Sequence, residues 1–235
     1  MYKITCYHAD DRVEDLIGRR YSMLLVMVRF GIPLGVGDRT IGEVCQENGV
    51  DVSTFLAVVN LLSDEENFQL RPEQISLPTL IHYLQSSHQF FLGYRLPQLR
   101  ERLAQALVKA QPEERMTDRV LSYFDEYVEE VHRHMDYEDH QVFTYVEHLL
   151  NGEATDPQYN IGIFSSRHDH VEEKLVELKD IILKYLAIPS HNELNSVLVD
   201  MFTCSVDLAD HNLIEDHLFV PVIRYHEKRR RSYGN

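Results

Sequence analysis

Val131-His132-Arg133-His134-Met135-Asp136-Tyr137-Glu138-Asp139 is the stretch that decides the reading of this chain. It sets His134 and Glu138 four residues apart inside an apolar helical pattern, so both side chains leave one face of one helix. The same pairing recurs 77 residues later as His211 and Glu215, in Asp210-His211-Asn212-Leu213-Ile214-Glu215-Asp216. Two His-x-x-x-Glu pairs on separate helices point to one shared metal site.

Working outward, the first pair lies in a helix that opens at a cap on Thr117 or Asp118. Its stripe runs through Leu121, Phe124, Val128, Val131, His134, Glu138, Val142, Tyr145 and Leu149, and the loop Asn151 to Pro157 ends it. A preceding helix, from about Thr79 to Ala110, carries Leu80, Leu84, His88, Phe91, Leu99, Leu103 and Leu107 on its stripe; Pro97 inside it is expected to bend it. A third runs from about Gly162 to Leu186 with Phe164, His168, Val171, Leu175, Leu178 and Ile182. Ser190 with Glu193 reads as a capping box for the fourth, which holds Leu194, Val197, Met201, Ser205, Leu208, His211, Glu215, Leu218 and Val222. Pro221 is expected to kink or shorten its end. Four helices of about 25 to 35 residues joined by short loops predict an all-α, up-down four-helix bundle over residues 79–230, with 231–235 as a tail. No segment offers the strict alternation of a strand.

Upstream lies a shorter unit. Residues 1–66 predict a small helical N-terminal domain and the proline-punctuated stretch 67–78 a linker. A helical pattern runs from Asp11 to Val28, with Val13, Leu16, Ile17, Leu24, Leu25 and Val28 as its apolar positions. Three glycines and Pro33 make Phe30 to Asp38 a turn. A second helix starts after Asp38 or Thr40 and a third after Asp51 or Ser53.

Composition excludes several classes. A formal charge of −15 over 235 residues argues against a nucleic-acid-binding body, and the basic cluster Lys228 to Arg231 reads as a cationic helix end. No apolar run approaches the ~18 residues needed to cross a bilayer, and the N-terminus lacks the pattern of a secretory signal, so a cytoplasmic protein without membrane partners is expected. Three cysteines, Cys6, Cys45 and Cys204, show no CxxC spacing. Thirteen histidines direct attention to nitrogen and oxygen ligation instead.

Each of the four bundle stripes contains a histidine, namely His88, His134, His168 and His211, and two add Glu138 and Glu215. Turning six ionisable groups toward a core costs several kcal/mol apiece, on the order of the penalty for any buried charge, unless they pair or bind metal. Four imidazoles and two carboxylates exceed what a tetrahedral structural zinc site takes. They suit two metal ions with bridging carboxylates, and the carboxylates tilt the preference toward iron or manganese. Off the stripes, His132, His140 and His148 read as solvent-facing, and the stripe selects His168 over His170. His217 and Asp216 flank a stripe, Tyr145 reads as core packing, and Cys204 as a small buried hydrophobe.

These residues resemble a known family. His88, the His134 to Glu138 segment, His168 followed by Asp169, and His211-x-x-x-Glu215 are similar to the hemerythrin-like HHE cation-binding domain. They resemble its iron-sulfur cluster repair branch, the di-iron RIC proteins, more closely, and Arg95-Leu96-Pro97 after His88 looks like that branch's first bundle helix. Oxygen-carrying hemerythrins differ in having a second histidine on the third helix, where this chain has Glu172, and an aspartate ligand on the fourth. The Phe30-Gly31-Ile32 turn and the Thr40 to Cys45 helix start also resemble the small domain preceding the bundle in the repair branch. That domain usually carries two adjacent cysteines in the turn, and this chain has Gly35-Val36-Gly37-Asp38 there.

The resemblance implies two iron ions held through oxo or carboxylate bridges by His88, His134, Glu138, His168, His211 and Glu215. It implies a stress-response role, in iron-sulfur cluster repair or nitric oxide handling, with oxygen or nitric oxide as small ligand and damaged iron-sulfur proteins as partners. The alternative is a sensor or store that binds oxygen, nitric oxide or iron without turnover. The missing thiols leave the N-terminal domain as a docking or dimerisation module, so a homodimer is compatible with the reading.

Overall fold

The computed structural model describes residues 6–110, 114–156, 158–167, 172–186 and 192–233. Among them the regular structure is helical, and the one departure is an isolated antiparallel bridge between Arg12 and Thr40. The helices are α1 (Val13–Arg19), α2 (Met23–Arg29), α3 (Ile41–Glu47), α4 (Val52–Ser63), α5 (Leu77–Phe90), α6 (Leu96–Ala110), α7 (Glu114–Tyr137), α8 (Phe143–Leu150), α9 (Ile161–Arg167), α10 (Glu172–Tyr185), α11 (Asn192–Ile214) and α12 (Val220–Tyr233). The fold is therefore an all-α helical bundle, as the stripes predict. No helix among the described residues is long and apolar enough to cross a membrane.

The chain forms two compact units. One comprises the described parts of 1–87, 142–168 and 211–235; the other comprises those of 88–141 and 169–210.

In the first unit, local chemistry fixes the helix starts. Thr40 and Glu43 make a reciprocal capping box, with Glu43 N–H donating to Thr40 Oγ1 at 3.3 Å and Thr40 N–H to Glu43 Oε2 at 2.8 Å. Asp51 caps α4 by accepting from Thr54 N–H at 2.8 Å. Gly31, at φ 73°, ends α2, and Ile32 N–H reaches back to Met27 O at 2.9 Å. That turn seats Phe30 against Phe55 and Tyr83, with ring centroids 5.2 and 4.7 Å away. Glu227 of α12 accepts from the Tyr145 hydroxyl at 2.6 Å and from Ile161 N–H, the first residue of α9, at 2.8 Å. Burial and Glu227 together raise the Tyr145 pKa far above that of an ordinary tyrosine. The hydroxyl is thus committed to packing, in keeping with its bland reading.

One expectation in this unit fails. The pattern from Asp11 to Val28 is two helices, because Arg20 turns extended at φ −143° and ψ 96°. Arg19 and Arg20 offer no apolar side chain to bury there, Tyr21 stays 75% exposed, and Arg20 Nε donates to Ser22 Oγ at 3.0 Å. The break re-phases the second helix: Met23, Val26 and Met27 are buried, whereas Val28, a predicted apolar-stripe position, is 59% exposed.

In the second unit α6, α7, α10 and α11 share an apolar core that includes Leu103, Phe124, Val131, Leu178 and Met201. Each such side chain contributes about 1.5–3 kcal/mol on burial. The ion pairs around it, Arg100–Asp125 at 2.7 Å and Lys109–Glu193 at 2.9 Å, are exposed and worth about 0–1 kcal/mol each. The core therefore supplies the stability, and the pairs help fix which helix lies beside which.

Among the described residues, three turns in the bundle widen from α to π: Phe91–Arg95, Glu138–Val142 and Glu215–Phe219. Two have an evident cause, since each comes just before a proline. Leu96 N–H bonds Phe91 O ahead of Pro97, and Val220 N–H bonds Glu215 O ahead of Pro221. Proline gives no N–H and crowds the carbonyl four residues back; a wide turn moves that carbonyl aside. Pro221 consequently does not shorten its helix, and α12 continues to Tyr233. The segment at Glu138 has no proline after it.

Candidate metal centre

Both His-x-x-x-Glu pairs share one local construction. His134 lies in the last turn of α7 and Glu138 opens a π segment; His211 lies in the last turn of α11 and Glu215 opens another. The ion-pair distances are 3.1 Å from His134 Nε2 to Glu138 Oε1 and 3.4 Å from His211 Nε2 to Glu215 Oε1. A π turn adds one residue without ending the helix, so the buried face beyond it can take in positions adjacent to the stripe. After Glu138 the buried residues are Val142, Phe143, Val146 and Leu149; Val142 and Leu149 are the expected stripe positions, whereas Tyr145, also expected there, is half-buried and Val146 beside it is buried.

His88 joins Glu138 from the end of α5, with Nε2 3.2 Å from Glu138 Oε2. Its other nitrogen, Nδ1, lies 2.9 Å from Asp139 Oδ1. An Nδ1–H donating to Asp139 leaves the lone pair on Nε2, the nitrogen that faces Glu138. This second carboxylate behind a histidine fixes ring orientation and tautomer, as in many metal centres. Asp139 has no mark in the sequence beyond its place after Glu138, because His88 is 51 residues away.

Four side chains, His88, Glu138, His211 and Glu215, each offer a ligand atom within 4.8 Å of the other three, and all four are buried. Glu138 and Glu215 are wholly buried and His88 and His211 are 1% exposed. His134 is tied to this group through Glu138, with an 11% exposed side chain. His168 and His170 lie outside the described residues, as does Ser190 of the expected capping box. The histidines read as bystanders are outside: His132 and His140 are exposed, and His148 and His217 are about half-exposed beside Glu153 and Glu65.

The donor set fits a cation. Carboxylates and imidazoles within a few ångströms of one another, removed from water, carry a large desolvation cost that a divalent ion offsets. The ligand atoms are nitrogen and oxygen with no thiolate, which suits iron, manganese or zinc. Cys45 and Cys204 are buried elsewhere, and burial, with Asp51 nearby, pushes the Cys45 thiol up to about 12.

A helical bundle with a buried cluster of histidine and glutamate defines a cation-binding bundle. Residues 79–223 match the family described as Hemerythrin HHE cation binding domain. The match covers more than half of the chain, which therefore belongs to that family. No curated protein matches the chain.

Proposed function

We propose that this chain is a non-haem di-iron protein of the nitrosative and oxidative stress response, acting in the cytoplasm in iron-sulfur cluster repair or nitric oxide handling. The observation that carries the reading is the buried group of His88, Glu138, His211 and Glu215, each with a ligand atom within 4.8 Å of the others. His134 and, from the sequence, His168 complete a set of four imidazoles and two carboxylates, enough for two ions. When bound, the iron pair would supply a redox-active centre able to take oxygen or nitric oxide.

The residues have separable tasks. Glu138 stands between His88 and His134 at 3.2 and 3.1 Å and would offer an oxygen on either side to the bound ions. Glu215, 3.4 Å from His211 Nε2, would supply the second carboxylate. Asp139 holds the His88 ring with Nε2 toward the centre, and the apolar side chains of the helices keep bulk water away from it. Damaged iron-sulfur proteins are the partners this reading requires.

A second reading, reversible binding or sensing of oxygen, nitric oxide or iron, is favoured by one observation. The turn over 35–38 has no thiol, and Cys45 of the following helix is buried with its thiolate strongly disfavoured, so a thiol relay through that turn lacks its chemistry. The discriminating experiment is metal analysis and absorption spectroscopy of the purified protein. The reduced form is then titrated with oxygen and nitric oxide beside a repair assay on a damaged iron-sulfur enzyme. About two irons per chain with repair activity supports the first reading. Reversible ligand bands without repair select the second, and a metal-free protein overturns both.

A further inference from the structure

We propose that the outward face of α10 and α11 pairs with the same face of a second copy of this chain. α11 is apolar on two sides. Its inner side buries residues such as Val197, Met201 and Leu208, and its outer side presents Val199, Phe202 and Val206 at 63%, 46% and 58% exposure. The spacing of three and four residues is that of a coiled-coil seam. α10 adds Val176 at 45% and Leu183 at 58%, two turns apart and so on one face.

The two rows adjoin through Lys179, one turn from Val176 and from Leu183. Its ammonium sits 4.1 Å over the Phe202 ring and donates to Ser205 Oγ at 2.7 Å. The charge within the face is thereby turned inward. Rim acids are also engaged: Asp180 by Lys184 at 2.6 Å, and Glu177 by the Tyr123 hydroxyl at 2.6 Å. A chain of net charge −15 repels its own copies over most approaches, and this neutral face is where the repulsion is weakest.

Area and symmetry favour a second copy over an unrelated helix. The five side chains expose roughly 500 Å², a large patch for a monomer and most of the ~800 Å² per partner that a standard interface buries. Outward from Phe202 a valine lies on either side, so an antiparallel two-fold places Phe202 on itself and Val199 against Val206 of the second copy. An isologous contact needs this self-complementarity, and antiparallel helices also oppose their dipoles favourably.

The test is sedimentation velocity on the full chain over about 1 to 100 µM, since a dimer of this kind responds to concentration. Twice the chain mass is expected, and Phe202→Glu should raise the dissociation constant by about 100-fold or more, as for a charge placed at an interface centre. Val108→Glu, at a position 72% exposed on α6, should leave the mass unchanged. Because Phe202→Glu could disturb folding, Phe202→Cys in a Cys6→Ser background provides a second measurement. Oxidation should link two copies through position 202, which needs Cα atoms within about 7 Å across the axis. A wild-type monomer throughout the range, a dimer indifferent to Phe202→Glu in a folded variant, a complex with an unrelated protein, or no cross-link at position 202 would each overturn the proposal.

Discussion

Two groupings of buried polar side chains lie within the same compact unit, and they are built on opposite principles. Lys179 is 2% exposed, and its ammonium donates to a hydroxyl and lies over an aromatic face in a mostly apolar surround, so part of its burial cost is offset locally. His88, His134 and Glu138 instead bring imidazole nitrogens and carboxylate oxygens together at 3.1 to 3.2 Å, with Asp139 behind His88, all of them atom types that ligate metal ions. Burial is common to both. What separates them is that one group is a lone cation met by neutral partners and the other gathers several possible ligand atoms around one place, which makes one a packing device and the other a candidate ligand set.

The comparison breaks most visibly at Glu138, which touches two histidines. Glu138→Ala should lower bound metal from its wild-type content to near zero per chain while the far-ultraviolet helix signal persists; retention of full metal would show that the cluster is not the ligand set. Next in size is the contrast between neighbours on α7. His134→Ala should severely weaken metal binding, and His132→Ala, on the exposed side, should leave metal content and spectrum unchanged. Equal effects from the two would remove the basis for selecting His134. Asp139→Asn keeps the shape and loses the carboxylate charge behind His88. Competition with a chelator should show metal affinity about 10 to 100 times weaker, the usual effect of removing a histidine's carboxylate partner. An unchanged affinity would mean that Asp139 orients nothing.

How much of this was legible beforehand follows from the range of the forces involved. Periodicity placed His134 inward and His132 outward because helical geometry acts over four residues, and the Thr40–Glu43 cap is equally local. The pairing of His88 with Asp139 spans 51 residues and left no periodic mark. The π turns were hidden for another reason: the expected stripe positions Leu99, Val142, Leu149 and Val222 stay buried at or beyond them, and only Tyr145 yields its place, to Val146, so the apolar pattern shows no visible breakage. Prolines at 97 and 221 signalled a disturbance in two cases, yet its form was a widened turn, and at Glu138 no proline gave notice. In the N-terminal segment the polar run Arg19 to Ser22 was present in the sequence, but a continuous stripe through Leu24, Leu25 and Val28 competed with it and was the wrong choice.

The smallest expected effect concerns the other side of the comparison. Burial pushes the Lys179 pKa below its ordinary value, so the folded state holds this proton less tightly than the unfolded chain does. In the window between the lowered and the ordinary lysine pKa the unfolded state binds more protons, and stability therefore rises with pH there. Below that window the full desolvation cost remains. Lys179→Met removes the cost and keeps much of the side-chain volume, while Ser205 Oγ retains Phe202 O as an acceptor at 2.9 Å. Urea unfolding of the metal-free protein should show the variant unchanged or more stable by about 1 kcal/mol at neutral pH, as when buried charges give way to apolar side chains. That gain should shrink as pH rises through the window. A variant less stable than wild type at neutral pH would mean that the ammonium contributes more through Ser205 and the Phe202 ring than its burial costs, and Lys179 would then be a structural requirement of the α10–α11 pairing rather than a tolerated charge.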